Sequence, residues 1–249
     1  MVGRAAAVLD PGRAAALALL AVALGLYYAY HASLPDTSTW GDVAFLACAL
    51  MPAVLLLVYI VLPLHAAPEL QLLLLGVSFG VLAFLLREAD LDAPADFAKL
   101  ATMTFVAWWF LNYFEAASWV VLVACIVPWV DAYSVWRGPT SNIVAHHRHV
   151  FTTLSFAFPI PGERNAANLG LPDLLFFALF LGASARFRLR PFLTWVALVV
   201  SFGVTIALAV AFDLAGLPAL PLLAAGFLLP NADLLWAELP WRSSGSSRR

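Results

Sequence analysis

Long apolar runs separated by short polar links follow one another along most of this chain. A helix that crosses the apolar core of a membrane needs ~20 mostly apolar residues, and the sequence contains eight runs of about this length. Pro, Gly or charged residues bound each run, as they do at helix ends. The pattern therefore predicts eight helices, near residues 14–32, 42–64, 69–86, 98–114, 116–136, 169–185, 192–212 and 216–236.

Two of the links between these runs carry further information. Only a short corner, Asn112 to Glu115, separates the fourth and fifth runs, so seven helices with one long bent member are the alternative. The longest polar link covers residues 138–168. Its stretch 150–158 is rich in β-branched and aromatic residues and is followed by Pro159 and Pro161, which predicts a short strand or hairpin.

The composition indicates a protein embedded in a membrane. Apolar residues make up 63% of the chain and charged residues 11%, against about 45–50% and 25% in soluble domains. This difference excludes a soluble globular enzyme, and the net charge of -2 provides no basic surface for nucleic acid. Cys48 and Cys125 lie in apolar runs, where cysteine behaves as a small hydrophobic residue. The expected fold class is all-α, a polytopic transmembrane helix bundle.

The distribution of basic residues predicts an orientation. If the N-terminus is cytoplasmic, the cytoplasmic side collects Arg4, Arg13, Arg186, Arg188, Arg190, Arg242, Arg248 and Arg249, and the opposite side collects five basic residues. Cytoplasmic loops are enriched in Lys and Arg, so we expect both termini inside and the 138–168 link outside. Twelve arginines to one lysine, with abundant alanine, suggest a prokaryotic plasma membrane.

Two acidic residues lie inside apolar runs rather than at their ends. Asp131 lies about six residues before the fifth run ends at Arg137, and Asp173 lies about four residues into the sixth run. With a rise of 1.5 Å per residue, these positions are ~9 Å and ~6 Å below the same membrane face. Consecutive antiparallel helices can bring them together. An ionised Asp at the centre of a membrane helix costs ~2.5–3.5 kcal/mol, which makes such a residue a functional candidate.

A pair of neighbouring carboxyl groups can hydrolyse a peptide bond without a covalent intermediate. The ionised group takes a proton from water, while the protonated group donates a hydrogen bond to the scissile carbonyl. The surrounding sequence interrupts helices at Pro128, at Gly170-Leu171-Pro172 and at Leu217-Pro218-Ala219-Leu220-Pro221. Irregular backbone at membrane depth is tolerated where it lines a water-filled cavity, so the three interruptions predict such a cavity around the two acids.

These residues resemble a known family, the presenilin and signal peptide peptidase group of intramembrane aspartyl proteases. Val130-Asp131-Ala132-Tyr133 is similar to its Tyr-Asp motif, with Val130 in place of the Tyr. Gly170-Leu171-Pro172-Asp173 is similar to its Gly-x-Gly-Asp motif, with Pro172 in place of the second Gly, and Pro218-Ala219-Leu220 matches its Pro-Ala-Leu motif. The resemblance covers roughly residues 116–236. Family members usually have nine helices, one more than this chain.

The resemblance implies a division of roles among these residues. Asp131 and Asp173 would be the catalytic pair. Support of the active site and substrate binding would come from Tyr133, Gly170, Leu171, Pro172, Pro218, Ala219 and Leu220. The stretch before Asp173 would pair as a strand with an unwound substrate, which is strand addition. Expected substrates are single-span transmembrane segments or remnant signal peptides, with no cofactor and no metal.

The resemblance also divides the chain and its orientation. Residues 1–115 would form four N-terminal helices, residues 116–236 the catalytic helices, and residues 237–249 a disordered basic tail. The expected orientation, with the link between the two Asp residues outside and the C-terminus inside, resembles that of signal peptide peptidase.

Other interpretations stay open at this point. A catalytically inactive, presenilin-like scaffold is favoured by Pro172. A proton- or cation-coupled transporter also uses buried acids and broken helices, but it predicts an inverted repeat, whereas the interrupted runs all lie in the second half. His146, His147 and His149 offer two metal ligands without a suitably spaced third, which favours a solvated loop. Asp213, at the end of the seventh run, is the reserve candidate for the acid site.

Overall fold

The computed structural model describes residues 9–137, 154–163, 165–214 and 217–238, and all structural statements below concern these residues. Helices account for 79% of the structure, which confirms a mainly helical fold. The eight helices are α1 (Pro11–Tyr30), α2 (Thr39–Ala66), α3 (Glu69–Glu88), α4 (Asp92–Leu111), α5 (Ala117–Arg137), α6 (Leu171–Arg186), α7 (Pro191–Ala211) and α8, with segments Leu220–Leu228, Leu229–Asn231 and Ala232–Glu238.

Six of these eight helices are long and apolar enough to cross a membrane, namely α1, α2, α3, α5, α7 and α8. The other two helices, α4 and α6, differ from these six in charge and in length, respectively. Helix α4 carries Asp96 and Lys99 near its start, and α6 has only 16 residues. The chain is therefore a membrane protein by the length and composition of its helices, and the predicted number of helices is confirmed.

The junction between α4 and α5 decides between seven and eight helices. The amides of Asn112 and Tyr113 donate to carbonyls three residues earlier, which tightens the end of α4 into a turn. Helix α5 begins only at Ala117, so the alternative of one long bent helix is wrong. Pro128 lies inside α5 without ending it.

Helix α6 lies at the centre of the bundle. It packs against α2, α4, α5, α7 and α8. Residues Phe177 to Leu181 are all 0% exposed, and a run of five consecutive buried residues means that every side of the helix is covered. The ring of Phe180 stacks on that of Phe227 from α8, with centroids 5.0 Å apart. The first turn of α6, which carries Asp173, is thus held by the core of the protein.

A close approach of α4 to α6 depends on one glycine. Trp108 of α4 is 1% exposed, and its indole N–H donates to the carbonyl of Ala178 at 3.0 Å. The indole lies directly over Gly182 of α6. A Cβ atom at that position would lie 2.6 Å from Cδ1 of Trp108, which is closer than non-bonded carbon atoms approach. Gly182 therefore makes room for the largest buried side chain of the core.

A β-hairpin is present in the longest link. Strand β1 (Ser155–Pro159) pairs antiparallel with β2 (Ala166–Gly170), and Ser155 lies opposite Gly170. The predicted hairpin is confirmed, but the start of the sixth helix is corrected from residue 169 to Leu171. The physical reason is that Leu169 and Gly170 pair with β1, while Pro172 suits the first helical turn because its missing N–H needs no partner there. The first two residues of the predicted tail 237–249 belong instead to α8, which ends at Glu238. Residues 138–153 and 239–249 lie outside the described residues.

The packing at Gly182 yields a test of the fold. We expect Gly182→Ala to destabilise the protein by about 1–3 kcal/mol, because the added methyl group forces Trp108 out of its site. Gly25→Ala in α1 is the matched control, since a Cβ there has no atom within 4 Å. That variant should be neutral or more stable by up to ~1 kcal/mol. Thermal unfolding in detergent, followed by tryptophan fluorescence, measures both, and equal midpoints would contradict the assignment.

Candidate active site

Three helix ends meet beside the hairpin. Asp131 lies in the last two turns of α5, Asp173 is the third residue of α6, and Leu220 is the first residue of α8. Helix α8 packs against both α5 and α6, and α5 packs against α6. The segments that carry Asp131, Asp173 and the Pro-Ala-Leu motif therefore come together at one end of the bundle. The predicted interruption at Pro128 is wrong, because α5 continues through it to Arg137.

Asp131 is bound by the start of α8. Its Oδ2 atom accepts a hydrogen bond from the backbone N–H of Leu220 at 3.1 Å. The first N–H groups of a helix have no partner within the helix, and Pro221, the second residue of α8, has no N–H at all. An anion at a helix N-terminus is stabilised by typically ~0.3–1 kcal/mol. The Pro-Ala-Leu segment thus acts on Asp131 through its backbone, and Ala219 and Leu220 are themselves buried.

Asp173 is bound by the residue that precedes its own helix. Its carboxylate accepts a hydrogen bond from the backbone N–H of Gly170, the N-cap of α6. This contact is one half of a capping box, in which the third helical residue reaches back to the N-cap amide. A Cβ atom at Gly170 would lie 3.2 Å from Oδ2 of Asp173. Gly170 has φ -61° and ψ 140°, so close approach, not an unusual backbone conformation, favours glycine here.

The two carboxyl groups are close enough for the charge of Asp131 to act on Asp173. Both side chains are partly buried. Within the described part of the chain, the ion pairs are Arg13–Asp10, Lys99–Asp96 and Arg190–Asp233, and none involves Asp131 or Asp173. Backbone amides are therefore the donors that hold both groups, which leaves the remaining carboxylate oxygens available for water or a substrate.

The other predicted site residues have different surroundings. The N–H of Leu171 donates to the carbonyl of Leu154 at 3.0 Å, which fixes the start of α6 against the hairpin. Pro172 is exposed in the first turn of α6, and Pro218 is buried. Tyr133 is 67% exposed, and the described residues show no hydrogen bond from it to either acid. The structure thus brings the three motifs together, with Tyr133 directed away from them.

A buried ion pair beside the hairpin was not singled out in the sequence. Asp96 and Lys99 of α4 are 6% and 7% exposed, and Lys99 Nζ lies 2.7 Å from Asp96 Oδ1. Their spacing of three residues places both on one face of a helix. An acid and a base three residues apart at the start of an apolar run are the feature of the sequence that indicates such a pair.

The remaining candidates lie apart from the three helix ends. Asp213 is exposed in the turn after α7, with φ 51°, a conformation that Asn and Asp tolerate. Asp233 pairs with Arg190 at 2.6 Å. His146, His147 and His149 lie outside the described residues, and the described ones contain no group of three His, Cys, Asp or Glu side chains that could hold a metal ion.

No protein-family model matches the chain, and no curated protein matches its sequence.

The bond between Asp131 and Leu220 can be tested without any assay of activity. Asp131→Ala leaves the Leu220 N–H without its acceptor, so its exchange with solvent deuterium should accelerate at least several-fold. Asp131→Asn keeps an oxygen acceptor and should change exchange less. Mass spectrometry of peptides from the start of α8 measures the effect, with Asp213→Asn as the control, because Asn tolerates the left-handed backbone of that residue. Equal exchange in Asp131→Ala and the wild type would contradict the contact.

Proposed function

We propose that this protein is an intramembrane aspartyl protease of the presenilin and signal peptide peptidase type, which hydrolyses peptide bonds within single-span transmembrane segments. One observation carries the proposal. Two interacting carboxyl groups from adjacent helices lie at the start of the α8 helix, and the Leu220 amide of the Pro-Ala-Leu segment binds one of them.

The chemistry follows from the two carboxyl groups. With one group ionised and the other protonated, the ionised group takes a proton from a water molecule as it attacks the scissile carbonyl. The protonated group donates a hydrogen bond to the carbonyl oxygen and stabilises its developing charge. Collapse of the tetrahedral intermediate breaks the C–N bond, and a proton passes to the leaving amine. No metal or cofactor is required by this sequence of steps.

All eight helices cross the membrane in this proposal. Helices α4 and α6 fall outside the simple length and hydropathy criteria, but their neighbours shield them from lipid. Sixteen residues of α6 extend ~24 Å, less than the ~30 Å of a typical apolar core. With Arg186, the last residue of α6, at the cytoplasmic surface of a prokaryotic plasma membrane, the start of α6 with Asp173 lies below the opposite surface.

A groove along the bundle suits a single-span substrate. Residues from α1, α2, α3 and α4 line a cavity of about 790 Å³ that extends from Leu9, just before α1, along the helix to Ala29. Twenty residues of helix span ~30 Å, the thickness of the apolar core. The lining is almost entirely apolar, as a transmembrane helix requires of its neighbours. At one end the groove reaches Tyr28 and Phe97, which contact the hairpin.

The hairpin offers one edge to an unwound substrate. Side chains satisfy the outward groups of β1, because Tyr27 donates to the Pro159 carbonyl and Tyr28 to the Ala157 carbonyl. Among the described residues, no strand pairs with the other edge of β2, on which Asn168 is exposed. An extended peptide that adds to this edge runs alongside Gly170 toward Asp173.

The decisive test is cleavage of a panel of single-span reporter peptides in bilayers, with product masses read by spectrometry. Asp131→Asn and Asp173→Asn should each lower kcat by on the order of 10³-fold or more, because the pair acts as a unit. Asp213→Asn is the matched control and should keep wild-type activity, since Asn tolerates the left-handed backbone at that position.

Two outcomes would contradict the proposal. Cleavage that survives in either Asp variant would exclude the two-carboxyl mechanism. A wild type that cuts nothing, under conditions where a known family member is active, would also contradict it. Pro172→Gly then identifies an inactive scaffold if it gains cleavage activity. Ion or proton flux through the wild type that is lost in the Asp variants would favour a transporter.

Gly170 supplies a second prediction about the same site. We expect Gly170→Ala to lower kcat by about 10-fold, because the methyl group pushes the Asp173 carboxylate from its position. Gly80→Ala is the matched control, since a Cβ there would lie 3.5 Å from Thr102, an ordinary contact distance. Both variants are assayed on the same reporter peptide. Equal kcat values for Gly170→Ala and the wild type would show that the close approach has no role in activity.

A further inference from the structure

The ion pair formed by Asp96 and Lys99 is costly to bury in an apolar bundle. The side chains are 8% and 9% exposed. Removing two charges from water is seldom repaid by their mutual attraction alone, and replacement by apolar residues is often neutral for stability. The pair is therefore expected to have a role beyond the stability of α4, and its other hydrogen bonds indicate that role.

Both members of the pair bind the backbone of β1. Lys99 Nζ donates to the carbonyl of Ser155 at 3.0 Å, and the amide of Ala157 donates to Asp96 Oδ2 at 3.0 Å. Ser155 and Ala157 alternate along the strand, so their outward groups lie on the edge that faces away from β2. The pair thus fixes β1 by two directional contacts, one to an acceptor and one to a donor.

This end of the hairpin continues directly into the candidate active site. Ser155 is paired with Gly170, and the Leu171 amide donates to the Leu154 carbonyl. Gly170 in turn donates its N–H to the Asp173 carboxylate. One strand pairing and one capping bond therefore separate Ser155, which the ion pair binds, from Asp173.

The far end of the hairpin is attached elsewhere. Tyr27 of α1 donates to the Pro159 carbonyl at the other end of β1, and the Gly162 amide donates to the His31 carbonyl at 2.8 Å. Tyr28 donates to the carbonyl of Ala157 in the middle of the strand. Phe156 and Phe158 are fully buried, but apolar contacts are non-directional. Loss of the ion pair would therefore leave the hairpin attached at its turn and at the Ala157 carbonyl, and would release the Ser155 carbonyl and the Ala157 amide, at the end of β1 that pairs with Gly170.

We infer that Asp96 and Lys99 are positioning residues for the reaction, which hold β1 against α4 so that Gly170 and Asp173 keep their places opposite Asp131. This inference rests on the proposed protease function. It assigns the pair no contact with the substrate and no proton transfer.

The test uses a double variant that leaves no unpaired charge, Asp96→Leu/Lys99→Met. We expect kcat for reporter cleavage to fall between about 10-fold and 100-fold, because small displacements of reacting groups have effects of this size. KM should stay within about twofold, since the pair lies outside the groove. Deuterium exchange of the hairpin amides, above all Ala157, should accelerate, while exchange in α6 beyond its first turn should not change.

Two further variants keep the test decisive. Asp96→Asn/Lys99→Met retains an oxygen that can accept from the Ala157 amide, so its loss of kcat should be smaller, and it serves if the first variant does not fold. Thr102→Val, also on α4, removes a hydroxyl that bonds only within the helix to the Ala98 carbonyl and should keep wild-type kcat and hairpin exchange.

The outcomes separate this inference from the proposed function. If the wild type cleaves and needs both Asp131 and Asp173, but both double variants keep wild-type kcat, positioning by the ion pair is wrong. Unchanged exchange at Ala157 would also overturn it. If the wild type does not cleave, the protease proposal itself fails, and the exchange experiment alone decides whether the pair anchors β1.

Discussion

Two acids lie near one another, and no cation among the described residues is paired with either of them. This placement is the constraint on which the rest of the bundle depends. Backbone amides at two helix starts satisfy this constraint, because the N–H of Leu220 binds Asp131 and the N–H of Gly170 binds Asp173. Such donors carry partial charge but do not neutralise a carboxylate, so the groups stay available for proton transfer. Prolines flank Leu220, and Gly170 is the last residue of β2, which explains why α8 and α6 begin where they do.

The burial of α6 turns this local arrangement into a rigid one. Its apolar residues from Phe177 onward are covered on all sides, so its first turn cannot shift without disturbing the core. Helix α8 is fixed at its other end as well, because Asn231 is buried and bonds Thr194 and the Arg190 amide. The two acids therefore lie between elements that are each held at a distance from the site.

The hydrophobic pattern was sufficient to predict the helices, because run length and boundary residues determine them locally. Asp131, Asp173 and Pro218 to Leu220 could also be selected, since acids and prolines are conspicuous within apolar runs. Long-range contacts could not be predicted in this way. Asp96 and Lys99 bind a strand 56 or more residues away along the chain, and the start of α6 depends on pairing between β1 and β2. Nearness along the chain did not predict the surroundings of Tyr133, because its position on the helix turns the exposed side chain away from Asp131.

Helix α1 has a part in this arrangement that its high exposure conceals. It packs on α2, and its last turn is tied to the hairpin through Tyr27, Tyr28 and the carbonyl of His31. A widening of the groove by displacement of α1 must break those bonds or carry the hairpin with it. In the proposed protease, lateral entry of a substrate and the order of the hairpin therefore share one coupling free energy. The size of the entering segment and the alignment of the two acids are then linked.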